Sequence, residues 1–295
     1  MNEKTIYALG FFDGVHLGHQ ALLKACRELA DQHGCKAGVV TFTSHPDALV
    51  KGNAPTLINT PADRKVLLTA FSMDAVAELP FDRELMQMPW QDFFRLLMEK
   101  YNAAGLVCGE DFRFGNRGEG TAEKLKKACE ETNIPCAVVP EQVLDGVTVS
   151  STYIRALLEK GEIEQVNHFL GHPHVLSGEV VSGRKLGRTL GIPTANLALP
   201  EDLVKLPHGV YACKAVVEGE KYLAVTNIGN RPTVGGHRVT VEPWLLDFEG
   251  DLYGKNITLE FHAFLRPEKK FESLEALKAE IEKNALQTRN FFEKN

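Results

Sequence analysis

The sequence has no excess of positive charge. Its Lys and Arg number 33 against 39 Asp and Glu, a formal net charge of −6. That removes electrostatic support for general binding to nucleic acid or to an anionic membrane, so any phosphate binding must be local. No apolar run approaches membrane-spanning length. The first residues, Met1 to Thr5, run straight into a strand pattern and do not form a signal peptide. No CxxC pair occurs among the cysteines at 26, 35, 108, 129, 136 and 213. Several of these sit in apolar runs, which points to reduced thiols in a reducing cytoplasm, and the ligand spacing of a zinc site is missing. No long flexible linker is visible. What is present is the composition of an ordinary soluble globular protein, 44% hydrophobic and 24% charged. At 295 residues there is room for a sizeable core and two domains.

The first half alternates between short apolar runs and amphipathic stretches. Residues 6–9, 37–42, 76–79, 106–108 and 136–139 read as strands. Between them, 19–33, a stretch starting at Pro61, 89–101 and 121–133 read as helices. Leu22, Ala25, Cys26 and Leu29 share one face of the first helix, and Gly34 stops it. This alternation predicts an α/β fold with a doubly wound parallel sheet, whose ligands sit at the carboxyl ends of the strands. Helices follow over 153–160 and 162–170. Beyond Gly171 the texture changes to strands at 175–181, 210–218, 222–227, 239–248 and 257–264, punctuated by Gly, Pro and Asn. That pattern predicts a small antiparallel β-barrel closed by a helix over 274–292 with Ser273 as its cap. The expected domains are 1–172 and 173–295, in contact.

The most informative segment is GFFDGVHLGH, Gly10 to His19. It follows a strand and opens a helix, where free backbone N–H groups and the positive end of the helix dipole favour phosphate. His16 and His19 are three apart and fall on one face of the first turn. The pattern points to adenylyl transfer, in which a phosphate nucleophile attacks the α-phosphate of ATP and pyrophosphate leaves. That chemistry needs positioning and charge stabilisation and no protein nucleophile. Ser151, Thr152 and Arg155 form a Ser/Thr-headed helix start with a basic residue one turn in, which by itself reads either as a second anion site or as an N-cap beside a solvated arginine. Pro193-Thr194-Ala195-Asn196 is by itself a turn, and Gly183 to Arg188 a glycine-containing basic loop.

GFFDGVHLGH, GEDFRFG (109–115), VSSTYIR (149–155), LGIPTAN (190–196), GVYA (209–212), NIGNRPT (227–233) and LLDFEGDLYG (245–254) occur in this order along nearly the whole chain. Together they resemble the prokaryotic bifunctional riboflavin kinase/FMN adenylyltransferase family, the FAD synthetases. The resemblance implies a 1–172 nucleotidyltransferase domain that adenylylates FMN to FAD and a 173–295 kinase barrel that phosphorylates riboflavin to FMN. It implies ATP as co-substrate of both steps and Mg²⁺ as the metal. His16 and His19 would hold ATP phosphates and stabilise the transition state. Gly10, Phe11, Phe12, Asp13, Gly14 and Gly18 would form the cradling turn. Ser151, Thr152 and Arg155 would complete the phosphate site, with Arg155 in a catalytic role, and Asp111 and Phe112 would border the flavin. His45-Pro46 matches a loop near the flavin phosphate.

In the second half the resemblance makes Thr194 and Asn196 the oxygen ligands that place Mg²⁺ and ATP. Gly183, Lys185 and Arg188 would lie in a flap over ATP phosphates, and Glu242 would be the general base on the riboflavin hydroxyl. Residues 266–271 and the last helix resemble the segment that closes over riboflavin. Three departures from the family pattern occur: Ser44 stands for a common Pro, Pro243-Trp244 for Val-His, and Asn284 for Asp. Proline cannot donate to a sheet ladder, so the strand is expected at an edge or bulged at Pro243. The alternatives are a monofunctional FMN adenylyltransferase with a weakened kinase module, or a flavin-binding regulator without turnover. Thr194, Asn196 and Glu242 count against the first, and His16, His19 and Arg155 against the second. The expected partners are small molecules, with no nucleic acid or membrane, in a cytoplasmic monomer or weak homo-oligomer.

Overall fold

The computed structural model describes residues 3–182, 192–233 and 236–294. The chain divides into two compact units, Met1–Leu57 with Arg64–Ser151, and Ile58–Asp63 with Thr152–Asn295. The first holds five parallel strands: β1 (Thr5–Leu9), β2 (Lys36–Phe42), β3 (Ala75–Leu79), β4 (Ala103–Gly109) and β5 (Cys136–Val139). Their order across the sheet is β3-β2-β1-β4-β5. This is the doubly wound arrangement expected from the alternation, with the reversal of strand order between β1 and β4.

Every residue of β1 is buried, as a central parallel strand covered on both faces requires. Ile6 and Ala8 face one layer, Tyr7 and Leu9 the other, following the two-residue period. The first layer is helix α1 (Leu17–His33), which packs Leu23, Cys26 and Ala30 against Val39 and Val107. It ends at Gly34 in the left-handed region, φ 61°, whose N–H reaches the carbonyls of Ala30 and Asp31. Helix α2 (Pro61–Ala70) contributes Leu68 to the same layer. The opposite layer is α3 (Trp90–Glu99) and α4 (Ala122–Glu131), which bring Phe93, Leu97 and Leu125 onto Leu9, Val40 and Leu106. Thr121 caps α4 by accepting from the Lys124 N–H, so the helix begins one residue inside the predicted span. Short elements at Asp47–Val50 and Arg83–Gln87, and two-residue ribbons at 113–121 and 143–148, are too brief for periodicity to register.

In the second unit helices α5 (Ser151–Lys160) and α6 (Ile163–Leu170) precede a closed antiparallel barrel. Its strands are β6 (His174–Val181), β7 (Asn196–Ala198), β8 (Gly209–Val217), β9 (Glu220–Thr233), β10 (Gly236–Leu245) and β11 (Asn256–Pro267). They close in the order β6-β7-β10-β9-β8-β11. On β11, Ile257, Leu259, Phe261 and Ala263 alternate inward at the strand period. The terminal helix α7 (Leu274–Lys294) sets Ala285 against Val210, Val225 and Leu246 on the outside of the barrel.

The expectation of an edge or bulge at Pro243 is corrected. Strand β10 lies inside the closed barrel, and its ladder with β9 runs without a register shift through Glu242, Pro243 and Trp244. The Pro243 carbonyl accepts from the Ala195 N–H at 2.9 Å. Carbonyl and nitrogen of a strand residue point the same way, so the missing N–H faces the sparse β7 side, where only Leu197 and Val241 pair. No β9 ladder bond is lost. The six cysteines are free, and four of them, Cys26, Cys108, Cys129 and Cys213, are buried.

Candidate active sites

In the first unit the chain leaves β1 at Gly10, whose N–H donates to the Val40 carbonyl at 3.2 Å. The turn that follows holds Phe12 at φ 59°, Gly14 at 83° and Val15 at 42°. A β-branched residue in the left-handed region is a real outlier, and such strain is kept where a site requires the geometry. The Val15 carbonyl accepts from the Gln20 amide at 2.9 Å, and the Val15 N–H donates to Phe12, which hold the turn in place.

His16 is the N-cap of α1, in extended conformation, and its Nδ1 accepts from the His19 N–H at 3.3 Å. With Nδ1 accepting, the neutral ring carries its proton on Nε2. The His16 and His19 rings stack at 3.7 Å with an interplanar angle of 15°. His16 is 6% exposed, so its ring is anchored, while His19 is half-buried. The two imidazoles, with Gly18, Gly109, Asp111 and Ser151, line one cavity of about 260 Å³ at the carboxyl ends of β1 and β4. That is the crevice where an open α/β sheet reverses strand order. Ser151 donates its hydroxyl to the Asp13 carbonyl at 2.8 Å, within the first unit. A Cβ on Gly109 would sit 2.8 Å from the Asp111 carboxylate, which explains the small residue ahead of it.

The other residues named from sequence do not line this cavity. The Phe12 side chain is fully buried in the core, so its part in the expected cradling turn falls to its backbone. Asp13 is also buried. Phe11 is half-buried, with the His45 ring edge-on at 4.7 Å. Phe112 stacks on Phe114 at 5.4 Å beside the α3 layer and does not line the cavity. On α5, Thr152 is exposed and Arg155 half-buried.

In the second unit Glu242 pairs in register with Asn227 across β10 and β9. Both line a cavity of about 320 Å³ with Thr194, Arg266, Glu268, Lys269, Phe271 and Asn284. Glu242 is half-buried and faces this cavity, not the solvated side of its strand. Thr194 also borders a smaller cleft of about 70 Å³ with Pro193, Phe248 and Tyr253, so it stands in the wall shared by two spaces. Asn196 lies two residues on, at the start of β7, half-buried and outside the lining of either. Gly183, Lys185 and Arg188 lie outside the described residues.

The segment after β11 closes one side of the larger cavity. Arg266 donates from Nε to the Asn284 amide oxygen at 3.1 Å and stands 3.5 Å from Glu280. Burial pulls its pKa down, opposed by the charges of Glu280 and Glu268. Lys269 pairs with Glu280 at 2.6 Å and holds that carboxyl below the usual range. Asn227, Arg266, Glu268 and Asn284 were not singled out from sequence as individual contacts, although Asn227 begins the NIGNRPT motif, Arg266 and Glu268 fall in the 266–271 segment and Asn284 is one of the departures from the family pattern.

Residues 1–153 match the FAD synthetase family, and residues 170–292 match the riboflavin kinase family. The chain is 35% identical to the bifunctional riboflavin kinase/FMN adenylyltransferase of Listeria monocytogenes, covering 98% of this chain and 93% of the relative. It is 36% identical to the protein of the same name from Escherichia coli and 33% identical to that from Bacillus subtilis, with the same coverage. A crystal structure described as a macrolide-efflux protein from Streptococcus pneumoniae superposes with a TM-score of 0.87 at 29% identity, over 98% of this chain and 95% of the other. Among the described residues no helix is long and apolar enough to cross a membrane. Two catalytic modules in the family's order, matched over almost the full length of its members, place this chain in the bifunctional riboflavin kinase/FMN adenylyltransferase family.

Proposed function

We propose that residues 1–172 adenylylate FMN with ATP, releasing FAD and pyrophosphate, and that residues 173–295 phosphorylate riboflavin with ATP to supply the FMN. The observation that carries the first activity is the stacked His16–His19 pair lining a cavity at the strand-order reversal. A phosphate oxygen of FMN attacks the α-phosphorus of ATP, and the bond to pyrophosphate breaks. His16 and His19 stabilise charge on the phosphoryl oxygens as it shifts, with Arg155 as a further cation. Backbone N–H groups of the Gly10–Gly14 turn and of Gly18 hold the phosphates. Ser151 and Thr152 orient them from the helix start, and Asp111 and Phe112 border the flavin side.

In the second unit Glu242 takes the proton of the riboflavin hydroxyl as it attacks the γ-phosphate of ATP. Its register partner Asn227 and the shared wall at Thr194 support this role. The donor set fits Mg²⁺ held mostly by substrate phosphates. Thr194 and Asn196 offer neutral oxygens, and among the described residues no cluster of three His, Cys, Asp or Glu makes a protein cage. When bound, the ion supplies charge neutralisation on the phosphates. The protein works in the cytoplasm on small molecules, as a monomer or weak homo-oligomer without nucleic acid or membrane. Incubation with riboflavin, ATP and Mg²⁺ followed by chromatography of the flavins tests the proposal. FMN and FAD together are expected. FAD formed only from added FMN would overturn the kinase assignment, and bound flavin without product would overturn both.

A further inference from the structure

We infer that Arg64 holds the phosphate of FMN, forming an anion subsite on the β2 side of the Gly10–Gly14 turn. This rests on the FMN adenylyltransferase reading above. Arg64 lies in the first turn of α2 and is 2% exposed. A cation in a first turn opposes the helix dipole, so the helix itself gives no reason for it. Burying a guanidinium is costly unless it is paired. Here the protein returns little. One N–H donates to the Phe42 carbonyl at 2.7 Å, and the guanidinium lies 4.3 Å from the centre of the Phe11 ring. Among the described residues no carboxylate reaches ion-pairing distance. Asp13 and Glu78 act on it only at longer range, while burial pulls its pKa down. Most of the guanidinium's donors remain unspent, in a side chain whose position is fixed at both its carbonyl and its ring contact.

The placement fits an anionic substrate. Phe42 ends β2 and Phe11 follows β1, so Arg64 stands at the carboxyl ends of neighbouring strands, where an open α/β sheet takes ligands. His16 and His19 line the cavity toward β4 and β5, on the other flank of β1. In-line transfer needs the attacking oxygen and the leaving pyrophosphate on opposite sides of the α-phosphorus. A planar guanidinium beside β2 can grip the attacking phosphate through paired N–H bonds, leaving the histidines to the phosphates of ATP. Arg64 is therefore a binding and positioning group for the nucleophile.

Steady-state kinetics of the full chain test this with Arg64→Met and Arg64→Lys. For Arg64→Met the KM for FMN is expected to rise about 10- to 100-fold, the range for losing a charge-assisted bond. The KM for ATP and the rate of riboflavin phosphorylation should stay within about twofold, a split that a purely structural role would not produce. A smaller rise is expected for Arg64→Lys. Equal rises for FMN and ATP, or a fall in kcat with the KM for FMN unchanged, would overturn the assignment. Should Arg64→Met fail to fold, inorganic sulfate decides on the wild type and Arg64→Lys. Sulfate should compete with FMN in the wild type and lose potency in the variant. Competition with ATP alone would sink the assignment. A wild-type chain that makes no FAD from FMN would overturn the adenylyltransferase reading, and the role of Arg64 with it.

Discussion

The imidazole of His16 crowds the space that a side chain at Gly18 would take. A Cβ on Gly18 would come within 3.1 Å of both Cε1 and Nδ1 of His16. The glycine between the two histidines thus lets the N-capping ring fold back onto its own helix and stack on His19.

Gly18→Ala should therefore shift the His16 ring by a few tenths of an ångström against His19 without unfolding the chain. Misplacing a catalytic group by about an ångström costs on the order of 100-fold in rate, so a shift this small should cost roughly 3- to 5-fold. FAD formation from FMN is expected to fall by about that factor, with riboflavin phosphorylation unchanged. Equal loss of both activities would mean that the change acts through stability.

Removing both rings by His16→Ala with His19→Ala should stop FAD formation while FMN still accumulates from riboflavin. Loss of one charge-stabilising donor costs about 100- to 1000-fold in kcat, and two should exceed that. Separation of FMN from FAD over a time course reads the result. Continued FAD synthesis near the wild-type rate would remove the histidines from the mechanism.

Glu242→Gln keeps the shape of the side chain and removes its basicity. FMN formation should fall by about 100- to 10,000-fold, the range for a general base. FMN supplied directly should still become FAD at the wild-type rate. Unchanged FMN formation would show that Glu242 is not the base.

His174 gives a pH signature. It is 1% exposed, neither ring nitrogen has a hydrogen-bond partner among the described residues, and burial, with His172 adding to it, pushes its pKa down to about 3. The unfolded chain takes up this proton near pH 6.5 and the folded chain only near 3, so the unfolded state binds more protons between those values. The stabilisation is complete above pH 6.5 and is lost as the pH falls toward 3, by about 1.4 kcal/mol per unit at most. Urea midpoints at pH 7.5, 6.0 and 5.0 should fall more steeply for wild type than for His174→Phe. Parallel curves would show that some other group carries the acid sensitivity.

The fold was largely legible because its signals are local. Continuous apolar runs such as Ile6–Leu9 alternate with the amphipathic α1, and that rhythm admits a parallel sheet; the shift to Gly- and Pro-punctuated strands after Gly171 admits a barrel. Elements of two to five residues were not legible, since four residues such as Asp47–Val50 cannot show a period. The environment at Pro243 was misjudged because the direction of one missing N–H depends on which neighbour strand it faces.

The sequence by itself determined the two modules, their order and the residue types at each site: His16 and His19 in a strand-to-helix turn, Ser151 at a helix start, Thr194 and Glu242 in the second half. These follow from spacing and motif, which are properties of neighbours along the chain. Tertiary structure alone decided which of them meet. It stacked the two imidazoles and brought Asp111 and Ser151 to the same cavity. It turned Phe12 into the core, put Glu242 on a cavity wall with Thr194, and left Arg64 buried under Phe11 with no ion pair among the described residues. Contact across tens or hundreds of residues depends on strand order and side-chain packing, and no window of sequence contains either.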